Sequence, residues 1–293
     1  MLSTSSSRLL LALLSSSLFL LTGCSNSTNN TTQSNTAQSD NTTQQSASKS
    51  TTNNKAQETA NTSPDNNKPN YVVATVKIFK PFVLRDEQLK LTGFDIDTLN
   101  AIAKDQNFNI TFAVVPRDEI YEGIMEHKYD MAISGISITP ERQETMQFSE
   151  PYYHSHKAVL AKADKPEITN LKDLSSYNVS VIANGTSAEL IEDIIPDKAH
   201  IQYVETPYRT IEQVIQDKSD YALGDAPVLS YYAKDLNDLN LKVYKDQQLP
   251  AEPYGILFAK DRDDDLVQKV NLGLKNIKAD GTYQALEQKW FGQ

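Results

Sequence analysis

The chain has 293 residues, 39% of them hydrophobic, with 28 Lys and Arg against 38 Asp and Glu. That length allows one or two domains, and the net charge of −10 disfavours a nucleic-acid partner. A single cysteine, Cys24, excludes an intrachain disulfide and any cysteine-cluster metal site.

Met1–Arg8 carries one positive side chain, and Leu9–Leu21 is an apolar run interrupted by three serines. Its thirteen residues are too few to span a bilayer and suit the core of a signal peptide. The run ends in Leu21-Thr22-Gly23-Cys24, which resembles the bacterial lipobox. A lipoprotein signal peptide over 1–23 and a lipidated Cys24 are therefore expected, with the protein exported and held at a membrane by its lipid. Residues 25–70 contain no Val, Ile, Leu, Met, Phe, Trp or Tyr. Such a composition cannot bury enough apolar surface to offset the entropy of ordering, so 24–70 is expected to be a disordered tether spanning roughly 40 Å. Arg8, Lys49, Lys55 and Lys68 precede residue 71, as do Asp40, Glu58 and Asp65, so residues 71–293 hold 24 basic and 35 acidic side chains.

In 71–293, strand-like and helix-like stretches alternate. A strand is predicted over Tyr71–Val76, then a helix over Asp95–Asp105 with Ile96, Leu99, Ile102 and Ala103 at helical spacing. A strand over Ile110–Val115, a helix over Glu119–Glu126 and a strand over Tyr129–Ser134 follow. Gly135 releases the backbone, and Thr139-Pro140 reads as a helix N-cap followed by proline at the first helical position. A second series begins with a strand over Ala158–Ala161. It continues through strand Val179–Ile182, helix Ser187–Ile195, strand Ile201–Val204, helix Thr210–Asp217, strand Tyr221–Leu223 and helix Pro227–Lys234. Tyr254–Ala259 is one more strand, with helices over 264–278 and 280–290 after it. Two successive α/β series imply two lobes, each a mostly parallel sheet flanked by helices. A C-terminal return to the first lobe would make two crossings, hence a hinge, with lobe 1 over 71–160 and 253–293 and lobe 2 over 161–252.

Three groups of residues carry recognisable chemistry. Ser134–Arg142 gathers free amides, hydroxyls and one guanidinium, and Arg142 can grip a carboxylate with two parallel hydrogen bonds. Asn184-Gly185-Thr186-Ser187 follows a strand and opens a helix, where free amides and the helix dipole favour an anion. Asp225 ends a strand just before a helix, the place where open α/β sheets bind ligands. Together these suit a zwitterion. Each also fits an ordinary local role: a solvated arginine, a glycine turn with a hydroxyl cap, and a helix N-cap. His154-Ser155-His156 is weighed as a metal pair. Its imidazoles are expected to diverge and no further ligand is at hand, so no metal is expected. Phosphate loops and a nucleophile elbow are absent from the sequence, and no cofactor is expected.

Gly93-Phe94-Asp95-Ile96-Asp97, Gly135-Ile136-Ser137-Ile138-Thr139-Pro140-Glu141-Arg142, Phe148-Ser149-Glu150-Pro151-Tyr152-Tyr153, Asn184-Gly185-Thr186, Gly224-Asp225-Ala226-Pro227 and Lys278-Ala279-Asp280-Gly281-Thr282-Tyr283 occur in order. With Lys289-Trp290-Phe291-Gly292, they resemble the extracellular solute-binding proteins of polar amino acid ABC transporters across essentially all of 71–293. The resemblance implies a type II periplasmic-binding-protein fold with a two-strand hinge. Such a protein is a monomer and not an enzyme; it closes on one free amino acid and presents it to a membrane permease and its ATPase. It also implies that Arg142 grips the α-carboxylate, helped by Gly135, Ser137, Thr186 and Ser187. Asp225 would pair with the α-ammonium, and Phe79 and Phe82 would form an aromatic wall. Relatives that take glutamine or basic amino acids commonly have aspartate after the first strand's threonine, whereas Val76 follows Thr75 here. That favours a polar or acidic amino acid over a basic one. Arg117 stands where relatives often have a wall residue, and from the cleft it would attract an acidic or amide side chain; a surface position fits it equally, and Lys77 and Lys80 stay open in the same way. Proteins of this fold also include exported cyclohexadienyl dehydratases, for which Glu189 would be the acid to examine, and amino acid sensors.

Overall fold

Two sheets grow from the two α/β series. The first has the order β1-β5-β2-β6-β15-β7. Its centre is β2 (Asn70–Thr75), parallel to both β5 (Asn109–Val114) and β6 (Met131–Ala132). α1 (Phe94–Asp105) and α2 (Arg117–Met125) supply the crossovers. A short hairpin of β3 (Leu84–Arg85) and β4 (Leu91–Thr92) precedes α1. After α3 (Pro140–Thr145), β7 (Met146–Phe148) runs antiparallel to β15 (Leu257–Ala259).

The second sheet has the order β11-β10-β12-β9-β13. β10 (Val179–Ile182) lies parallel to β11 (Ile201–Val204) and to β12 (Tyr221–Asp225), while β9 (Lys157–Lys162) and β13 (Leu241–Lys245) are antiparallel additions. α4 (Thr186–Ile194), α5 (Pro207–Ile215) and α6 (Ala226–Asp235) cover it. Both sheets are therefore mixed. The βαβ units give the parallel pairs, and strands arriving from or returning to the hinge run antiparallel.

The hinge is an antiparallel pair, β8 (Tyr153–Ser155) with β14 (Glu252–Tyr254). The strand expected over Tyr254–Ala259 breaks at Gly255, because β14 belongs to the hinge and β15 to the first sheet. β9 belongs to the second sheet from Lys157 on, so the crossing precedes the boundary drawn at residue 160. The chain then closes over the first lobe with α7 (Leu266–Ala279) and α8 (Thr282–Phe291). Leu99 and Ile102 of α1 and Val270 and Leu274 of α7 are all at most 2% exposed, the apolar faces that their helical spacing anticipates.

The computed structural model describes residues 57–59, 67–246 and 248–292, all in one unit of the chain spanning Asn53–Gln293. The leader, Cys24 and most of the expected tether lie outside the described residues. Within that tether segment, Gln57–Thr59 forms β1, an antiparallel edge strand on β5. Edge pairing needs only backbone N–H and C=O groups, which every composition supplies.

Candidate functional site

The loop after β6 is pinned to the hinge from both sides. Ile138 N donates to Pro253 O at 2.8 Å, and Gly255 N donates to Ile136 O at 3.0 Å. Gly135 adopts φ +55°, and a Cβ there would lie 2.4 Å from the Phe79 ring, so glycine is required twice over. Its N–H donates to Asp95 Oδ2 at 2.8 Å, and the Tyr152 hydroxyl donates to Asp95 Oδ1 at 2.8 Å. Burial raises the Asp95 pKa to about 7, against the lowering effects of Tyr152, Gly135 and Arg117.

Asp95 therefore makes a pH-dependent contribution of known sign. Its folded pKa lies above the ordinary 3.8, so the fold favours the protonated form. The stability it contributes is complete below about pH 4 and is lost as pH rises towards 7, by an amount on the order of a few kcal/mol. Asp95→Asn keeps the shape and cannot ionise. Urea titrations from pH 4 to 8 are expected to show the variant gaining on the parent protein up to pH 7 and level beyond it; a constant difference would exclude ionisation of Asp95 in the fold.

A cavity, part of it continuous with solvent, lies between the two lobes. Phe79, Arg117, Gly135, Ser137 and Arg142 line it from the first lobe, and Lys157, Gly185, Thr186, Ser187 and Asp225 from the second. Thr139 caps α3 by accepting from Arg142 N at 3.3 Å, which sets the side chain's starting point. The Arg142 guanidinium donates to Ser137 O at 3.0 Å and lies over the Tyr121 ring, leaving most of its five N–H groups for a guest. Arg117, first residue of α2, stacks over Phe79 at 5.0 Å and faces the cavity. Neither arginine forms an ion pair with a described residue.

Phe82 departs from its expected place. It is 0% exposed and sits behind Phe79, among Phe94, Tyr153, Tyr254 and Phe291 at ring separations of 5.1–6.1 Å. Phe79 alone of the two lines the cavity; Phe82 is core, because the turn between them directs one ring to the cleft and the other inward. Lys77 is exposed, and Lys80 reaches away from the cavity, to Asp235 of α6 at 3.6 Å. Glu189 is exposed and does not line the cavity. His154 and His156 do not diverge: both are exposed with Ser155 buried between them, since residues i and i+2 share one side of a strand. Among the described residues, no group of three or more His, Cys, Asp or Glu could hold a metal ion.

Two residues that local pattern does not mark join the site. Lys157, 3% exposed, places its ammonium 2.9 Å from Asp225 Oδ1, 2.8 Å from Thr186 Oγ1 and 3.1 Å from Glu252 Oε2. Burial alone would lower its pKa, but Asp225 and Glu252 outweigh burial and hold it above the ordinary lysine value. Glu252, on the hinge strand, accepts through the same Oε2 from Ser137 Oγ at 2.8 Å and Thr186 Oγ1 at 2.9 Å. One carboxylate thus joins the two lobes through the hydroxyls expected to meet a ligand. Asp225 occupies the N-cap position of α6 without making a capping bond, so its carboxylate is turned to Lys157 instead. The signal for Lys157 is the register of β9 on β12, which sets it opposite Asp225 and is invisible in either strand alone.

Residues 71–293 match the family described as bacterial extracellular solute-binding proteins, family 3. The chain is 31% identical over 215 residues to the arginine-binding periplasmic protein of Mannheimia haemolytica, covering 73% of this chain and 88% of that one. Among solved structures, the arginine-, lysine-, histidine-binding protein ArtJ from Geobacillus stearothermophilus superposes with a TM-score of 0.71 at 31% identity, over 76% of this chain and 96% of that one. An ancestral amino acid-binding protein described as a precursor of cyclohexadienyl dehydratase superposes with a TM-score of 0.69 at 34% identity, over 76% of this chain and 95% of that one. The first two are named for basic amino acids, so they lend no support to the lean towards polar or acidic ligands. Among the described residues, no helix is long and apolar enough to cross a membrane.

Proposed function

The chain belongs to the bacterial extracellular solute-binding proteins of family 3, and from that premise we propose that it is the substrate-binding lipoprotein of an amino acid ABC import system. It takes one amino acid into the cleft between its lobes and delivers it to the permease, while Cys24 carries the lipid that holds it at the membrane. The observation that carries the reading is the opposition of Arg142 on the first lobe and Asp225 on the second across one cavity. An α-carboxylate on Arg142 and an α-ammonium on Asp225 pair both charges only when the lobes are together, so binding and closure are coupled. Relatives named for amino acid binding support the same reading. The dehydratase alternative draws no support from Glu189, which is exposed and outside the cavity.

The test is a thermal-shift panel on protein unfolded and refolded to strip carried-over ligand, against the common amino acids and prephenate. A ligand at about a hundred times its Kd stabilises the folded protein by about 2.7 kcal/mol, a readable rise in Tm. One amino acid or a narrow group is expected to give that rise. A flat amino acid panel with prephenate turnover would replace the binding protein by an enzyme.

A further inference from the structure

We infer that Lys157, neutralised in part by Glu252, is a specificity-determining residue that selects an amino acid with a second carboxylate in its side chain. This rests on the amino acid reading above and follows from charge counting at the cavity. At one end Asp225 lines the cavity, and Glu252, which does not, stands beside it on the hinge strand, bonded to Ser137 and Thr186 of the lining; Lys157 returns one positive charge, bonded to both carboxylates. That end lacks one cation, which an α-ammonium supplies. Arg142 and Arg117 bring two guanidiniums to the cavity, neither ion-paired to a described residue. Asp95, the carboxylate whose pKa Arg117 lowers, is buried, bonded to Gly135 N and the Tyr152 hydroxyl, and does not line the cavity. Two carboxylates on the ligand complete the pairing. A ligand with one ammonium and two carboxylates gives every one of these groups a partner.

Other ligands leave a charge stranded. An amide side chain leaves Arg117 without an anion, and a basic side chain adds a cation to a cavity that already holds Lys157 and two arginines. Charges enclosed between the closed lobes without partners are disfavoured, so this mismatch discriminates between ligands by charge. Lys157 is the element that tips the count, since without it the two carboxylates could accommodate the α-ammonium and a side-chain cation together.

Calorimetric titration of the stripped full-length protein with glutamate, aspartate, glutamine, arginine and lysine tests the inference. Glutamate or aspartate is expected to bind at least tenfold tighter than glutamine, with arginine and lysine weaker still. Lys157→Met should reverse the ranking of basic and acidic ligands. Arg117→Met, at a half-buried helix start, should collapse the ratio of acidic to amide affinity. Arginine or lysine binding as tightly as the acidic pair, a ranking unmoved in Lys157→Met, or ratios unmoved in Arg117→Met would overturn the inference while leaving an amino acid-binding protein. No binding to any member of the panel would sink both.

Discussion

Arg142→Ala is expected to weaken binding of every amino acid ligand by a few-hundred-fold to several-thousand-fold, about 3–5 kcal/mol, because it leaves an α-carboxylate in the cleft without its cation. The loss should be uniform across ligands, since the α-carboxylate is common to all, whereas changes at Arg117 or Lys157 act on preference. Arg142→Lys keeps the charge and loses the fork, so an intermediate loss of at least tenfold is expected. The fold should tolerate both changes. The side chain is half-buried, and its contacts within the protein are one hydrogen bond to Ser137 O and the Tyr121 ring, worth about 1–2 kcal/mol together. Calorimetry beside a urea titration separates the two quantities. Affinity within threefold of the parent protein in Arg142→Ala would remove the arginine from the site.

The largest effect on stability is expected at Gly93. It caps α1 at φ +128°, and a Cβ there would lie 2.1 Å from Phe82 O and 2.5 Å from Phe82 C. Those atoms cannot retreat cheaply, because Phe82 O accepts from Asp95 N and the neighbouring Pro81 O accepts from Phe94 N, both at 3.0 Å. Gly93→Ala therefore combines an unfavourable backbone conformation with a backbone clash, and a loss above about 3 kcal/mol is expected. Gly281→Ala is the matched control. It also has positive φ, +86°, but nothing lies within 4 Å of its Cβ position, so only the conformational cost of about 1 kcal/mol remains. Urea midpoints of the two variants give the comparison directly, and equal losses would show that the clash relaxes.

The order of strands and helices was legible in the chain, because each element's periodicity is local. α1 begins within one residue of its expected start, and β10 and β11 coincide with theirs. Departures occur where tertiary partners decide an end. The strand read over Tyr129–Ser134 is regular only at Met131–Ala132: Asp130 N and Ile133 N still donate to Val72 O and Ala74 O of β2, and beyond Ile133 the chain turns to the hinge. Arg117 opens α2, although Pro116-Arg117-Asp118 has no apolar residue to mark a helix start. The choice between Phe79 and Phe82 was likewise beyond the sequence: two aromatic residues flanking a turn look equivalent until the ring cluster behind one of them exists.

The sequence by itself determined the family, the two alternating series and the motifs that bring Arg142 and Asp225 to loop ends facing a cleft. Their positions follow from local rules: an N-cap, a strand end and a glycine in the left-handed region. Only the tertiary structure decided what those groups meet. Lys157 and Asp225 are 68 residues apart in the chain, and Ser137 and Glu252 are 115 apart. Such pairs are set by sheet register and by the return of the chain through the hinge. Periodicity tells which side of an element a residue takes, and it carries no record of what lies across from it.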